Sequence, residues 1–255
     1  MTDYKSRFIL HLGDCLDWLP TLATDAYDCA ITSPPYNIGE NGMNEPKYGK
    51  GSDVLKQKDY AKLILTSLGQ LIRVSKDVFY NIQLTSATKP LIPILLFRYR
   101  KYFKETIIWE KKSAQPAMEP GVLNSQFEFV FVFSKHNADK RKFYGEEWRG
   151  TNSNVIITPP NSGNKFANVH TAAFPELLPA HILNIVSTAK TVIDPFVGTG
   201  TTGVVAIKRG LHFTGCELDP EFYQIANTQI LQALMQPSLD QYAMTKENFS
   251  QKALL

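Results

Sequence analysis

Two short stretches carry residues whose types and order suit group transfer. The first is Thr32-Ser33-Pro34-Pro35-Tyr36, at the end of the apolar run 27–32. Two prolines fix the backbone and remove two N–H donors, so the carbonyls are presented rigidly. A Ser33 hydroxyl beside the Pro34 carbonyl can accept both hydrogens of one NH2 group. An amine conjugated with an aromatic ring is a poor nucleophile. Accepting both of its hydrogens favours a more tetrahedral nitrogen, whose lone pair can attack an electrophilic methyl in line. Tyr36 offers a face for a planar ring. Taken alone, Ser33–Tyr36 reads equally well as a rigid proline turn. Thr158-Pro159-Pro160-Asn161 repeats the two prolines without the aromatic residue and reads as a turn only.

The second stretch is Asp194-Pro195-Phe196-Val197-Gly198-Thr199-Gly200-Thr201-Thr202. A buried strand ends at an acidic residue, and a Gly-x-Gly turn then opens a helix. Glycine there tolerates positive φ and lets the backbone approach a ligand. The next strand ends at Glu217, whose carboxylate would lie beside the turn and accept from both hydroxyls of a ribose. Gly198, Gly200 and Glu217 therefore belong to one nucleotide pocket. Only about 55 residues follow the turn, too few to complete a sheet and supply a reactive site. The remaining strands must come from upstream, so the order is permuted relative to an ordinary nucleotide-binding fold. Asp14, after the first strand, reads either as a third strand-end carboxylate facing adenine or as a turn-capping residue.

The elements that must hold these stretches alternate. Strand-like runs fall at 8–12, 27–32, 78–82, 106–109, 127–133, 191–196 and 213–218. Helical patterns fall at 60–74, 90–101, 175–187, 201–209 and 220–235. Alternation of this kind predicts one α/β domain over 1–255, a mostly parallel central sheet with helices on both faces. Residues 37–58, rich in Gly, Asn and Lys, read as a long mobile loop, either one that closes over the site or an idle surface loop. Residues 135–165 read as irregular, and 236–255 as a loose tail.

Together the two main stretches resemble the amino-methyltransferases of bacterial DNA modification. Their order, catalytic motif first, is similar to the β group of that family. Supporting matches are Gly13-Asp14, Phe79-Tyr80-Asn81-Ile82, Trp109-Glu110-Lys111, Glu128 to Lys135 and His170 to Glu176. The resemblance implies a circularly permuted Rossmann-like methyltransferase fold. It implies S-adenosylmethionine as cofactor and double-stranded DNA with a short specific site as partner. Ser33, Pro34, Pro35 and Tyr36 would hold the amino group of a base flipped from the duplex. Asp194, Pro195, Phe196, Gly198, Thr199, Gly200 and Thr201 would shape the cofactor pocket. Phe174 would line its methionine end, Asp194 would engage the amino acid end, Glu217 the ribose and Asp14 the adenine. Ser before Pro-Pro-Tyr is, within the family, the form associated with N4 of cytosine; N6 of adenine is the alternative. The resemblance also allows a homodimer and a cognate restriction endonuclease.

Composition sets outer limits. Hydrophobic residues at 44% and charged residues at 20% describe an ordinary core and surface, and no apolar run approaches a membrane span. A cytoplasmic enzyme is expected. Cys15, Cys29 and Cys216 are scattered, which predicts buried core residues and neither a disulfide framework nor a metal site. Each cysteine follows Asp or Gly, so the nucleophile of a cytosine C5-methyltransferase is absent. Five isolated histidines argue against a metal-dependent nuclease. The late glycine turn argues against a nicotinamide dehydrogenase. A catalytically inactive nucleic-acid-binding module is one remaining alternative; an RNA or protein-glutamine methyltransferase is another, though such relatives place the cofactor motif before the catalytic one. Net charge is only +3, but Arg98, Arg100, Lys101 and Lys104, then Lys111 and Lys112, then Lys135, Lys140, Arg141 and Lys142 are clustered. Segment 135–165, with Arg141, Trp148, Arg149, Asn152 and Asn154, is the expected specificity element.

Overall fold

The computed structural model describes residues 7–37, 55–112, 120–158 and 174–235. Eight strands among them form one sheet: β1 (Phe8–Leu12), β2 (Tyr27–Thr32), β3 (Ser75–Ile82), β4 (Phe103–Lys111), β5 (Phe127–Ser134), β6 (Val155–Thr158), β7 (Thr191–Asp194) and β8 (His212–Glu217). The helices are α1 (Cys15–Trp18), α2 (Gln57–Val74), α3 (Leu91–Arg98), α4 (Leu177–Ile185), α5 (Thr201–Lys208) and α6 (Pro220–Met235). Across the sheet the strands run β1-β8-β7-β2-β3-β5-β4-β6. Only β5 opposes both of its neighbours; the other adjacent strands pair in parallel.

This order bears out the permuted arrangement. Counting strands from β7 and passing from the C-terminal part to β1 gives 3-2-1-4-5 for β1, β8, β7, β2 and β3. That is the order of an ordinary doubly wound sheet. The chain turns one way after β7 and the other way after β2, so the crevice lies between the C-terminal ends of these two strands. The two main motifs begin at those ends.

Side chains alternate across the central strands and divide the core in two. Cys29, Ile31, Phe79, Val130 and Val132 face one layer, built with Leu178 and Ile182 of α4, Val204 and Val205 of α5 and Ile230 of α6. Ala30, Val78, Tyr80, Phe131 and Phe133 face the other, with Trp18 of α1, Ile64 and Leu68 of α2 and Leu95 of α3. Burial on both faces explains why β5 reads as a continuous apolar run from Phe129 to Phe133, with Glu128 before it. In α2, Tyr60, Ile64, Leu68 and Leu71 recur at helical spacing and are fully buried. Near the end of α2, Arg73 donates to the carbonyls of Leu19 and Leu22, closing the turn before β2.

Two elements depart from the sequence reading. β6 lies within the stretch read as irregular, because four residues are too few to establish a period. Its buried Ile156 and Thr158 alternate with exposed Val155 and Ile157, and it extends the sheet beside β4. α1 is equally short and is set by its cap, the Asp14 side chain accepting from Leu16 N–H. The three cysteines are buried and free, and burial pushes the Cys216 thiol up to about 12. No helix among the described residues is long and apolar enough to cross a membrane. The central part of the 37–58 loop (38–54), the end of the 135–165 segment (159–165), the stretch 166–173 and the tail at 236–255 lie outside the described residues.

The entry to α5 depends on one glycine. Gly200 has φ +92°, and a Cβ there would stand 3.0 Å from the Ala226 backbone of α6. Gly200→Ala therefore strains the turn and separates α5 from α6. Urea denaturation is expected to show a loss of about 1–3 kcal/mol.

Candidate active site

The catalytic motif leaves the sheet where β2 ends. Thr32 is buried and its hydroxyl donates to Asp194 Oδ1 at 2.7 Å. β2 and β7 pair only at Cys29–Val192 and Ala30–Ile193, so the side-chain bond joins the strands just beyond their last backbone register. Asp194 Oδ1 also accepts from Phe196 N–H at 3.0 Å, which fixes the first bend of the Asp194–Thr202 stretch. The two motifs are thereby held against each other at the crevice.

Within Ser33–Tyr36 the carbonyls have different fates. Tyr60 donates to the Pro35 carbonyl at 2.9 Å, and Thr85 reaches the Tyr36 carbonyl at 3.4 Å. Among the described residues none donates to the Pro34 carbonyl. Ser33 is half-buried, and its hydroxyl lies 2.9 Å from Tyr36 Oη. Tyr36 itself is 5% exposed, so its hydroxyl is anchored inward and little of its ring face reaches solvent. That hydroxyl reaches Glu128 Oε2 at 2.7 Å and Asn81 Oδ1 at 2.9 Å. Glu128 Oε1 is paired with Lys111 Nζ at 2.8 Å. Beyond the motif, the Asn37 amide bonds both backbone groups of Leu55, at 2.9 and 2.8 Å. The two ends of the intervening segment are thus drawn together beside the motif.

On the cofactor side, Gly198 and Gly200 both have positive φ, as the Gly-x-Gly reading requires. Glu217 stands beside them at the end of β8. Its Oε2 accepts from Gly198 N–H at 2.8 Å and its Oε1 from Asp219 N–H at 3.0 Å. Each oxygen keeps a further lone pair for a ligand hydroxyl. Thr199 is buried, its carbonyl bonded by Gln229 at 2.6 Å, while Phe196 and Thr201 are partly exposed and Pro195 is buried. Asp14 follows β1, adjacent to β8, and is exposed; its Oδ1 caps α1, and the preceding Gly13 N–H donates to the Glu217 carbonyl at 2.9 Å. Phe174 packs on the core layer that contains Val197. Acceptor-only carboxylates at two neighbouring strand ends, flanking a glycine turn, suit a ligand with ribose hydroxyls and an amino-substituted purine.

In the sequence Asn81, Lys111 and Glu128 belong to the supporting matches and carry no role of their own. Glu128 carried a signal: an acidic residue inside an apolar strand must find partners when buried. Some of the clustered cations are engaged within the fold, whereas Arg98, Lys101, Lys112, Lys140 and Lys142 are exposed. Lys104 is 4% exposed and donates to the carbonyls of His136 and Asn137. Lys135 pairs with Asp25 and Arg141 with Glu105. Trp148 donates to the Ile185 carbonyl and packs on Phe143, so it faces the body of the domain.

Burial pushes the Asp194 carboxyl up to about 6, against hydrogen bonds from Thr32, Phe196 and Thr202 that lower it. Between the ordinary value of 3.8 and about 6, the folded protein binds a proton that the unfolded chain has released. Stability therefore falls as pH rises through that window, by about 3 kcal/mol for this group. Asp194→Asn removes the dependence. Urea melts of both proteins from pH 4 to pH 7.5 should show the variant gaining on the parent by that amount, and parallel pH curves would contradict it.

The family model described as DNA methylase (N6_N4_Mtase) matches residues 27–228. Over 260 aligned residues the chain is 28% identical to the Type II methyltransferase M.Cfr9I of Citrobacter freundii, covering 84% of each. It is 23% identical to the Type II methyltransferase M2.DpnII of Streptococcus pneumoniae, covering 89% of this chain and 90% of that one. Its fold is similar to that of the cytosine-N4-specific PvuII DNA methyltransferase, with TM-score 0.68, 16% identity and 94% and 91% of the two chains covered. It is also similar to M1.HpyAVI in complex with S-adenosylmethionine, with TM-score 0.60, 18% identity and 88% and 98% covered. With both motifs joined at the switch point of a permuted sheet, and the family model spanning both, the chain belongs to the DNA methylase family.

Proposed function

We propose that this protein transfers a methyl group from S-adenosylmethionine to the exocyclic amino nitrogen of a base flipped out of double-stranded DNA, with N4 of cytosine as the leading target. The observation that carries the proposal is the Thr32–Asp194 bond, which sets the Ser33–Tyr36 motif directly against the Gly198–Gly200 turn. When bound, the cofactor supplies an electrophilic sulfonium methyl. The chain supplies the rest. Ser33 Oγ and the Pro34 carbonyl accept the two hydrogens of the amine, and Pro35 and the anchored Tyr36 hold that pair in place. Glu217 accepts from ribose hydroxyls, Asp14 from the adenine amino group, and Phe196, Gly198, Thr199, Gly200 and Thr201 enclose the cofactor. Asp194 acts on the cofactor indirectly, through the position it gives Phe196.

The choice of cytosine rests on Ser33, the neutral form of the acceptor, which within the family is associated with N4 of cytosine. An adenine N6 target is the second reading, because the same two acceptors fit either amine. The presence of a glycine-turn pocket with an intact carboxylate at Glu217 disfavours a purely DNA-binding module, which has no use for it.

Two measurements test these assignments. Glu217→Ala should weaken S-adenosylmethionine binding by about 1–3 kcal/mol in calorimetry, since the ribose hydroxyls and the Gly198 N–H lose their acceptor. Unchanged affinity in a folded variant would take Glu217 out of the pocket. Mass spectrometry of nucleosides from DNA treated with the protein should show N4-methylcytosine. N6-methyladenine alone would overturn the target base and leave amino transfer standing.

A further inference from the structure

The acceptor role given to Ser33 depends on which way its own hydrogen points, and the residues behind it decide that. Ser33 Oγ, Tyr36 Oη, Glu128 and Lys111 form a continuous chain, with contacts of 2.9, 2.7 and 2.8 Å. Glu128 is 5% exposed and Asn81 3% exposed. The Lys111 ammonium only donates, and the carboxylate paired with it only accepts. Asn81 Nδ2 donates to the Phe129 carbonyl at 3.1 Å, which turns Oδ1 toward the phenol as a second acceptor. Tyr36 has one hydroxyl proton, and both acceptors claim it. Toward Ser33 the phenol therefore offers only a lone pair. Ser33 must donate its own proton inward, which leaves its remaining lone pairs facing the crevice.

We propose that Glu128 is a positioning residue for methyl transfer: acting through Tyr36, it holds Ser33 as a pure acceptor and takes up the proton that the target amine gives up. The proposal rests on the amino-transfer reading above. As the amine lone pair forms the new N–C bond, the S–C bond breaks with its electron pair left on sulfur. The nitrogen keeps the electrons of one N–H bond while that proton moves to Ser33 Oγ. The Ser33 proton moves to Tyr36 Oη, and the Tyr36 proton to Glu128 Oε2. One methyl is gained and one proton lost, with no change of oxidation state in the protein. Lys111 holds Glu128 on its far oxygen and keeps the near one aimed at Tyr36. A neutral serine hydroxyl is by itself a weak acceptor, and a chain ending on a carboxylate strengthens it when nitrogen turns acidic.

Glu128→Gln presents an amide N–H to Tyr36 and removes the carboxylate that takes up the proton, while Asn81 Oδ1 still accepts from the phenol, so the relay is cut with little change of shape. Single-turnover methylation of duplex DNA by the full chain, in H2O and in D2O, is the kinetic test. The parent should show a normal solvent isotope effect. Glu128→Gln should lose about a hundredfold in rate together with the isotope effect, while calorimetry shows unchanged S-adenosylmethionine affinity. Tyr36→Phe removes one oxygen atom, should behave alike, and carries the test if the Gln variant does not fold. Neutron diffraction from the deuterated protein without cofactor or DNA reads the direction itself, and the Ser33 deuteron should lie on the line to Tyr36 Oη. Parental rate and isotope effect in Glu128→Gln, or a Ser33 deuteron pointing into the crevice, would overturn the proposal. A parent protein that methylates no base at all would instead overturn amino transfer, and the neutron map would still decide the direction of the chain.

Discussion

A single hydrogen bond from Thr32 to Asp194 governs the geometry of this site. It crosses from the strand that delivers the catalytic motif to the strand that delivers the cofactor motif, where their backbone pairing has already stopped. At the opposite ends of the two strands Thr191 donates to Asp28, but at the C-terminal ends the described hydrogen bonds show only this one joining side chain to side chain. Asp194 is 1% exposed, so the bond lies in a medium where a carboxylate is costly and its donors correspondingly strong. The raised carboxyl measures that cost. The fold tolerates it because the same oxygen also fixes Phe196 and so sets the approach to the glycine turn.

The other carboxylates of the site follow a similar logic. Glu217 is oriented by the N–H groups of Gly198 and Asp219 before any ligand arrives, and burial raises its carboxyl as well. Glu128 is held by Tyr36 on one oxygen and Lys111 on the other. Each group is fixed by donors the protein itself supplies, so less ordering is required when substrates bind. Such preorganisation matters more for catalysis than the number of contacts, because reorganisation at the moment of reaction is avoided.

Part of the clustered positive charge serves the fold itself. Lys104, Lys111, Lys135 and Arg141 are all engaged with carbonyls or carboxylates of the same chain. A run of basic residues in sequence records only that cations are near one another along the chain. Whether they face a polyanion or satisfy buried acceptors depends on the strands they border, here β4 and β5 and the turn after them. Trp148 and Phe143 show the same contrast, since a segment rich in polar residues still sends its aromatics into the core.

The sequence alone determined the order of the two motifs, the alternation of strands and helices, and the placement of Gly198, Gly200 and Glu217 around one turn. These features are local: proline and glycine restrict the backbone wherever they occur, and burial on both faces of a sheet leaves continuous apolar runs. Permutation was legible too, because too few residues follow the glycine turn to build a sheet. The fourth and fifth strands both proved longer than their apolar runs, Phe103–Lys111 and Phe127–Ser134, and β6 and α1 escaped notice because four residues carry no period. Tertiary structure decided the partners of the polar groups. Thr32 lies 162 residues from Asp194, and Tyr36 lies 92 residues from Glu128. Pairings at such separations are set by which strands become neighbours in the sheet, and no spacing along the chain encodes a hydrogen bond between them. Whether Asp14 capped a helix, whether Lys104 faced solvent, and which way Tyr36 turned its hydroxyl were therefore questions that only the packed sheet could answer.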